Sequence, residues 1–220
     1  MSTIIVYSNK KYMAYELAAT AHSIGLKVIA VTINDEQLAI SLAKLGEKVL
    51  AVTMDMFSLA DTIAIASVLQ QAAEKVKAST LLLSNNRHLR KVAGRLAKKL
   101  NVVCLNHGDS LTATNVKLVC TRNDVKGSTL AKCEIEIEES VIALSSKVYI
   151  ADSMSRGGSI EDFHPKIKST LELLDTRGKN KLGIDINSSE GLMARGRGSK
   201  NHEDFLPGEP LAKALGGMRE

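Results

Sequence analysis

The chain has 220 residues, of which 45% are hydrophobic, 24% are charged and only 3% are aromatic, and its formal net charge is +5. Too few aromatic side chains are present to stack on bases, and no nucleic-acid-binding signature occurs, so we expect no nucleic-acid partner. No stretch has the apolar length of a membrane-spanning helix, and we expect no membrane insertion. The positive charge permits an acidic partner, although a solvated basic surface is the simpler interpretation.

The first hundred residues alternate between short apolar runs and amphipathic segments. Gly25 and Gly46 are placed to end the first two helices, and Asp35 and Ser58 are placed to cap the second and third. The predicted strands are 3–7, 27–33, 48–53, 80–83 and 102–105, and the predicted helices are 11–24, 36–45, 58–77 and 87–100. Strands that are apolar on both faces and separated by helices predict a parallel sheet covered on both sides.

After residue 110 the pattern changes to runs typical of antiparallel strands, at 117–121, 129–137 and 141–146. Residues 1–150 are therefore predicted to form an α/β domain, a three-layer α/β/α sandwich whose parallel sheet carries antiparallel edge strands. Residues 151–190 are rich in glycine, serine, asparagine and charge, which predicts a partly mobile linker. Residues 191–220 are predicted to be an incomplete C-terminal appendage.

The three cysteines, Cys104, Cys120 and Cys133, lack CxxC spacing and have no histidine at ligand spacing. They predict reduced thiols in a cytoplasmic protein and no metal site. There is no phosphate-binding glycine loop and no hydrolase motif. No catalytic residue is therefore assigned from the sequence.

Polar residues follow each predicted parallel strand, where α/β sheets bind their ligands. They are Ser8-Asn9-Lys10, Asn34-Asp35, Met54-Asp55, Ser84-Asn85-Asn86 and Asn106-His107. The segment 84–91 leads into a basic helix, which indicates either a phosphate or carboxylate site or a capped helix with a solvated basic face. His107 with Asp109 nearby is a candidate for proton transfer. His22 is expected to be partly buried, and His88 to be solvated.

Residues 192–194 lead into Gly196-Arg197-Gly198, a pattern typical of a strand that enters a tight turn. Glycines on both sides of an arginine allow the backbone to approach a ligand while the guanidinium pairs with a phosphate. Glycine-arginine sequences also occur in flexible tails, so the motif alone leaves both interpretations open.

Together these segments resemble the α subunit of electron-transfer flavoproteins. The resemblance rests on QLAISLAKLGEKV at 37–49, RKVAGRLA at 90–97, the hairpin region at 120–131, and the spacing of GRG and LAKALGG between 196 and 217. It implies an N-terminal domain that packs on a β subunit in a heterodimer. It also implies a C-terminal domain that holds FAD, with Arg197 contacting the cofactor between Gly196 and Gly198.

The resemblance implies an electron carrier subunit rather than a stand-alone enzyme, taking electrons from dehydrogenases to a quinone-linked acceptor. Residues 191–220 are then expected to be the truncated start of the FAD-binding domain. One strand, one turn and one helix cannot bury a doubly wound core, so we expect no stable FAD binding by this chain alone. Two alternatives stay open: an adenine-nucleotide-binding regulatory module with AMP at the strand ends, and a degenerate interaction subunit without flavin.

Overall fold

The computed structural model describes residues 3–55, 57–114, 117–136, 140–145, 157–167, 169, 171, 174–175 and 208–214. Contacts divide the chain into two units, Met1–Leu173 and Leu174–Glu220. The described elements of the first unit are β1 Thr3–Tyr7, α1 Lys11–Ser23, β2 Lys27–Ile33, α2 Glu36–Lys44, β3 Lys48–Val52, α3 Thr62–Val76, β4 Thr80–Ser84, α4 Arg87–Leu100, β5 Val103–Ala113, β6 Lys117–Asp124, β7 Thr129–Glu136, β8 Ser140–Leu144 and β9 Ser159–Asp162. A short helix, α5 Gly208–Ala214, lies in the second unit.

The nine strands form one sheet in the order β7-β6-β5-β8-β4-β1-β2-β3-β9. In this order, each neighbouring pair from β5 through β8, β4, β1, β2 and β3 to β9 is parallel. The pairs β5–β6 and β6–β7, at the other end of the sheet, are antiparallel. This arrangement confirms the predicted α/β class, with a parallel sheet and antiparallel strands at one edge.

Alternate side chains of the central strands point to opposite faces of the sheet. On one face, Ile5 and Tyr7 belong to a buried cluster with apolar residues of α3 and α4. On the other face, Ile4 and Val6 belong to a second cluster with residues of α1 and α2. Two helices therefore cover each face, which gives the predicted three-layer sandwich.

The start of the third helix differs from the prediction. The helix begins at Thr62, and its N-cap is Asp61, whose carboxylate accepts from the backbone N–H groups of Ile63 and Ala64. The predicted cap, Ser58, instead accepts from Ala60 N in a turn that precedes the helix. A carboxylate that satisfies two first-turn N–H groups fixes the helix start at the later residue.

The prediction for the last strand of the N-terminal domain was wrong in direction and position. Strand β8 lies inside the sheet, parallel to both β4 and β5, and all five of its residues are buried. The fifth strand is also longer than predicted, because the chain stays extended past Leu105 and its far half pairs with β6.

Part of the segment predicted to be a linker contributes to the sheet. Strand β9 pairs parallel with β3, and Phe163 packs into the cluster beneath α3 and α4. The division into a domain 1–150, a linker 151–190 and a flavin-domain start 191–220 stays a prediction. Among the residues that the structure describes, no helix is long and apolar enough to cross a membrane.

Candidate functional site

The order of the strands places a crevice at the end of β1. The chain leaves β1 in one direction through β2 and β3, and then returns to form β4 on the other side of β1. Loops that leave β1 and β4 therefore separate above the sheet, and ligands of open α/β sheets bind at such a point. The residues here are the predicted strand ends 8–10 and 84–86.

These two strand ends are joined by hydrogen bonds between small polar side chains. Ser8 Oγ donates to Ser84 Oγ over 3.0 Å, and both serines are buried. The side-chain amide of Asn86 donates to Ser84 Oγ over 3.2 Å and to Asn9 Oδ1 over 3.0 Å. The two strand ends are therefore held together by a preorganised network of hydroxyl and amide groups.

The predicted anion site at the start of α4 is partly closed by its own cap. Asn86 Oδ1 accepts from the backbone N–H groups of His88 and Leu89, over 3.0 and 2.8 Å. Two of the donors that would bind an anion are thus already satisfied. This geometry favours the alternative interpretation, a capped helix with a basic face, over a phosphate cradle formed by the backbone.

His107 lies on the other side of β4, at the irregular point of β5, with φ of 61°. Its Nε2 is 2.7 Å from a guanidinium nitrogen of Arg90. A guanidinium only donates, so Nε2 is the acceptor in this contact. The side-chain amide of Asn85 is 3.3 Å from Nδ1 and also reaches Ser145, so this cluster joins the ends of β4, β5 and β8.

The predicted pairing of His107 with Asp109 is not made in the structure. The carboxylate of Asp109 accepts from the backbone and side-chain nitrogens of Asn123 on β6, over 2.9 and 2.6 Å. His107 is held by Arg90 instead. The hypothesis of a histidine–aspartate proton-transfer pair was therefore wrong.

A cavity of about 490 Å³ lies at the same edge of the sheet, above the ends of β2, β3 and β9. Asn34, in the left-handed region, joins its two main walls, because its amide both donates to Met54 O and accepts from Met54 N. Asp35 lines the cavity and caps α2 as predicted, accepting from Leu38 N. Oxygen atoms dominate the polar lining, which includes Thr32, Asn34, Asp35, Glu36, Thr53 and Asp162.

Sequence patterns identified Asn34, Asp35 and Met54 as strand-end residues but missed the third wall of this cavity. Ile160 and Asp162 line it from β9, which the sequence analysis placed in a linker. The available signal was an apolar residue, Ile160, between polar neighbours directly after Gly157-Gly158. Four residues of alternating polarity are too short to predict a strand alone.

The remaining titratable candidates are structural. Burial raises the pKa of Tyr7, of Cys104 and of Cys120, the last to about 12, so the neutral forms of these three groups persist. His88 is less solvated than expected, and desolvation and nearby Lys91 lower its pKa.

His22 is more exposed than predicted and pairs with the buried carboxylate of Glu47. No cluster of three or more potential metal ligands occurs in the described part of the chain. The segment Gly196-Arg197-Gly198, which is predicted to contact FAD, lies outside the described residues.

The fold and this edge define a class: an α/β/α domain with polar groups gathered at the carboxyl ends of a parallel sheet. Residues 10–166 match the family model of the electron transfer flavoprotein domain. The match spans more than half of the chain, so the protein belongs to the electron transfer flavoprotein domain family. No curated protein matches the chain significantly.

Proposed function

We propose that this chain is the α subunit of an electron-transfer flavoprotein, which forms a heterodimer with a β subunit. In this role it helps to carry electrons from dehydrogenases to a quinone-linked acceptor through FAD. The family match over residues 10–166 is the observation that carries the proposal. The choice of the α subunit rests on the GRG and LAKALGG segments between 196 and 217.

In this proposal the flavin supplies the redox chemistry, and the chain binds and orients it. The described part of the second unit does not form a flavin crevice by itself. Helix α5 has seven residues, its Leu211 is 51% exposed, and its Ala214 is exposed. A stable cofactor site needs a concave, largely buried pocket, so we propose that FAD is retained only in the assembled protein.

Arg197 is the residue that we propose contacts FAD, with Gly196 and Gly198 allowing close approach of the backbone. Arg195 provides a matched control, because it precedes the same motif and carries the same charge. Both variants, Arg197→Ala and Arg195→Ala, are to be purified as the heterodimer with the β subunit from the same source.

We expect Arg197→Ala to reduce the flavin content of the heterodimer several-fold, and Arg195→Ala to leave it near the parent value. Thermal unfolding of either variant should match the parent chain, because every residue of the two buried clusters belongs to the first unit, Met1–Leu173. Equal flavin loss in both variants would assign the effect to net charge, and a large fall in thermal stability would contradict a peripheral motif.

A second candidate is an adenine-nucleotide-binding module that takes AMP at the strand ends. The observation that favours it is the cavity beside β2. Its lining includes Asp35, Glu36 and Asp162, whose carboxylates accept hydrogen bonds and so suit ribose hydroxyls and an exocyclic amine. The third candidate, an interaction subunit that binds neither, has no such observation.

The nucleotide candidate is tested by calorimetric titration of the full chain with AMP, and with GMP as the control for base recognition. Saturable binding of AMP alone, weakened by Asp162→Asn in the cavity, would support it. Absence of heat with either nucleotide would remove it, and this outcome leaves the flavin proposal untouched, since the two proposals use different residues.

A further inference from the structure

Helix α4 concentrates positive charge on one exposed face. Between Arg87 and Leu100 the chain has six basic residues and no acidic residue, although the whole protein carries a net charge of only +5. None of these cations forms an ion pair with a carboxylate of a described residue; Arg90 contacts His107, and Lys99 donates to Ser67 Oγ. The described residues therefore leave the charge of this face uncompensated.

The same face contains a groove of about 490 Å³ between α3 and α4. Gly94 forms its floor, and a Cβ built at this position would meet no atom within 4 Å. The walls are the side chains of Ile63, Arg90, Lys91, Arg95, Lys98 and Lys99. Because lysine and arginine carry aliphatic stems below their charged ends, such a groove is apolar inside and cationic at its rim.

Two exposed apolar residues lie on the neighbouring segment. Ile63 is 37% exposed on the first turn of α3, and Leu59 is 48% exposed in the turn before it. The backbone of Leu59 lies close enough to His88 to influence its pKa, which places this turn near the start of α4. An apolar strip thus lies beside a row of cations.

We infer that this surface, the α4 groove, docks an acidic segment of a partner protein that presents aliphatic side chains between carboxylates. The aliphatic groups enter the groove above Gly94, and the carboxylates pair with the cations at its rim. Charge complementarity selects this occupant. A nucleic acid fits less well, because its bases need aromatic platforms and the lining contains none.

The inference is tested with a fluorescein-labelled peptide, Glu-Leu-Glu-Glu-Leu-Asp-Glu-Leu-Glu, titrated with the full chain and followed by fluorescence anisotropy. Control probes are the same peptide with Gln and Asn in place of the acids, and an oligothymidylate. We expect saturable binding of the acidic peptide that weakens as salt is added, because the rim charges are exposed.

Two variants separate charge from shape. Lys91→Glu with Lys98→Glu should weaken binding by at least about tenfold, whereas the matched reversal of two exposed lysines elsewhere, Lys27→Glu with Lys132→Glu, should change it by no more than about twofold. Gly94→Leu fills the groove without changing charge, and the open space at this position allows the helix to fold. It should weaken the peptide several-fold.

Three results would overturn the inference. The neutral peptide binding as tightly as the acidic one would remove the role of charge. If the control lysine pair weakens peptide binding as much as the groove pair does, the effect would depend on net charge alone. If the oligothymidylate binds more tightly than the acidic peptide, and Gly94→Leu does not weaken peptide binding, the face would be assigned to nucleic acid. Circular dichroism of each variant confirms that loss of binding is not loss of fold.

Discussion

Gly108 lies where three strands meet, and the residue has no room for a side chain. A Cβ at this position would stand 2.7 Å from Leu144 Cδ2 and 2.8 Å from Cys120 Sγ. We expect Gly108→Ala to lower the free energy of unfolding by about 1–3 kcal/mol, because buried neighbours must move. Gly94→Ala, in open space on α4, should instead raise it by about 0.5–1 kcal/mol. Urea unfolding of both variants gives the comparison, and equal effects would contradict the packing described.

The choice between two neighbouring caps shows what local sequence leaves undecided. Ser58 and Asp61 are both good N-cap residues, and the sequence analysis chose the earlier one. Asp61 is 1% exposed, and its second carboxylate oxygen also accepts from Ser169 Oγ, 108 residues later. The true cap is therefore also held by a contact that no local pattern contains. Asp35, by contrast, was predicted correctly as the cap of α2.

Removing the true cap should cost far more than removing the predicted one. We expect Asp61→Ala to lower the free energy of unfolding by about 1–2 kcal/mol, since two N–H groups of α3 lose their acceptor. Ser58→Ala should stay within about 0.5 kcal/mol of the parent chain. The measurement is chemical unfolding followed by circular dichroism, and a larger effect at Ser58 would place the helix start where the sequence suggested.

The presence of the individual strands and helices was predictable from the sequence, but the order of the strands in the sheet was not. The strands and helices of the first hundred residues were predicted within a few residues of their observed bounds. Strand β8 was assigned to the edge because two antiparallel strands precede it. Its five buried residues were the better guide, since continuous burial is typical of an interior parallel strand. The position of a strand within a sheet depends on which strands pair with each other. The hydrophobic periodicity of the sequence does not encode this pairing.

Strand β9 is attached to the sheet partly through charge. Glu161 lies 2.8 Å from Lys48 Nζ and 2.5 Å from Lys75 Nζ, and hydrogen bonds to these lysines lower its pKa from 4.5 to about 2. A lowered carboxyl pKa adds stability above the unfolded value of 4.5. That stability is lost as the pH falls from 4.5 towards 2.

Glu161→Gln should therefore unfold at a lower temperature than the parent at neutral pH, and the difference should shrink as the pH falls below 4.5. The effect is small because the pair is solvent-exposed. Glu74→Gln, at an exposed glutamate of α3 outside the described ion pairs, is the control. Thermal unfolding across this pH range gives the result, and a pH-independent difference would contradict the role of the ion pairs.

For the whole molecule, the gathering of polar residues at the carboxyl edge of the sheet was predictable, but their detailed contacts were not. Every strand end named from the sequence lies at this edge or beside it. The partners within it were not predictable, because His107 turned towards Arg90 rather than Asp109, and β9 supplied a wall of the cavity. Contacts between residues that are far apart in the sequence determine both the orientation of His107 and the wall that β9 forms.

The most direct test of the electron-transfer proposal is the visible absorption spectrum of the chain purified alone and together with its β subunit, each supplied with FAD. We predict that the heterodimer keeps the bands of oxidised flavin through gel filtration, and that the chain alone is colourless. A stable heterodimer without flavin, or a chain that forms no heterodimer, would contradict the proposal that this family member carries electrons through FAD.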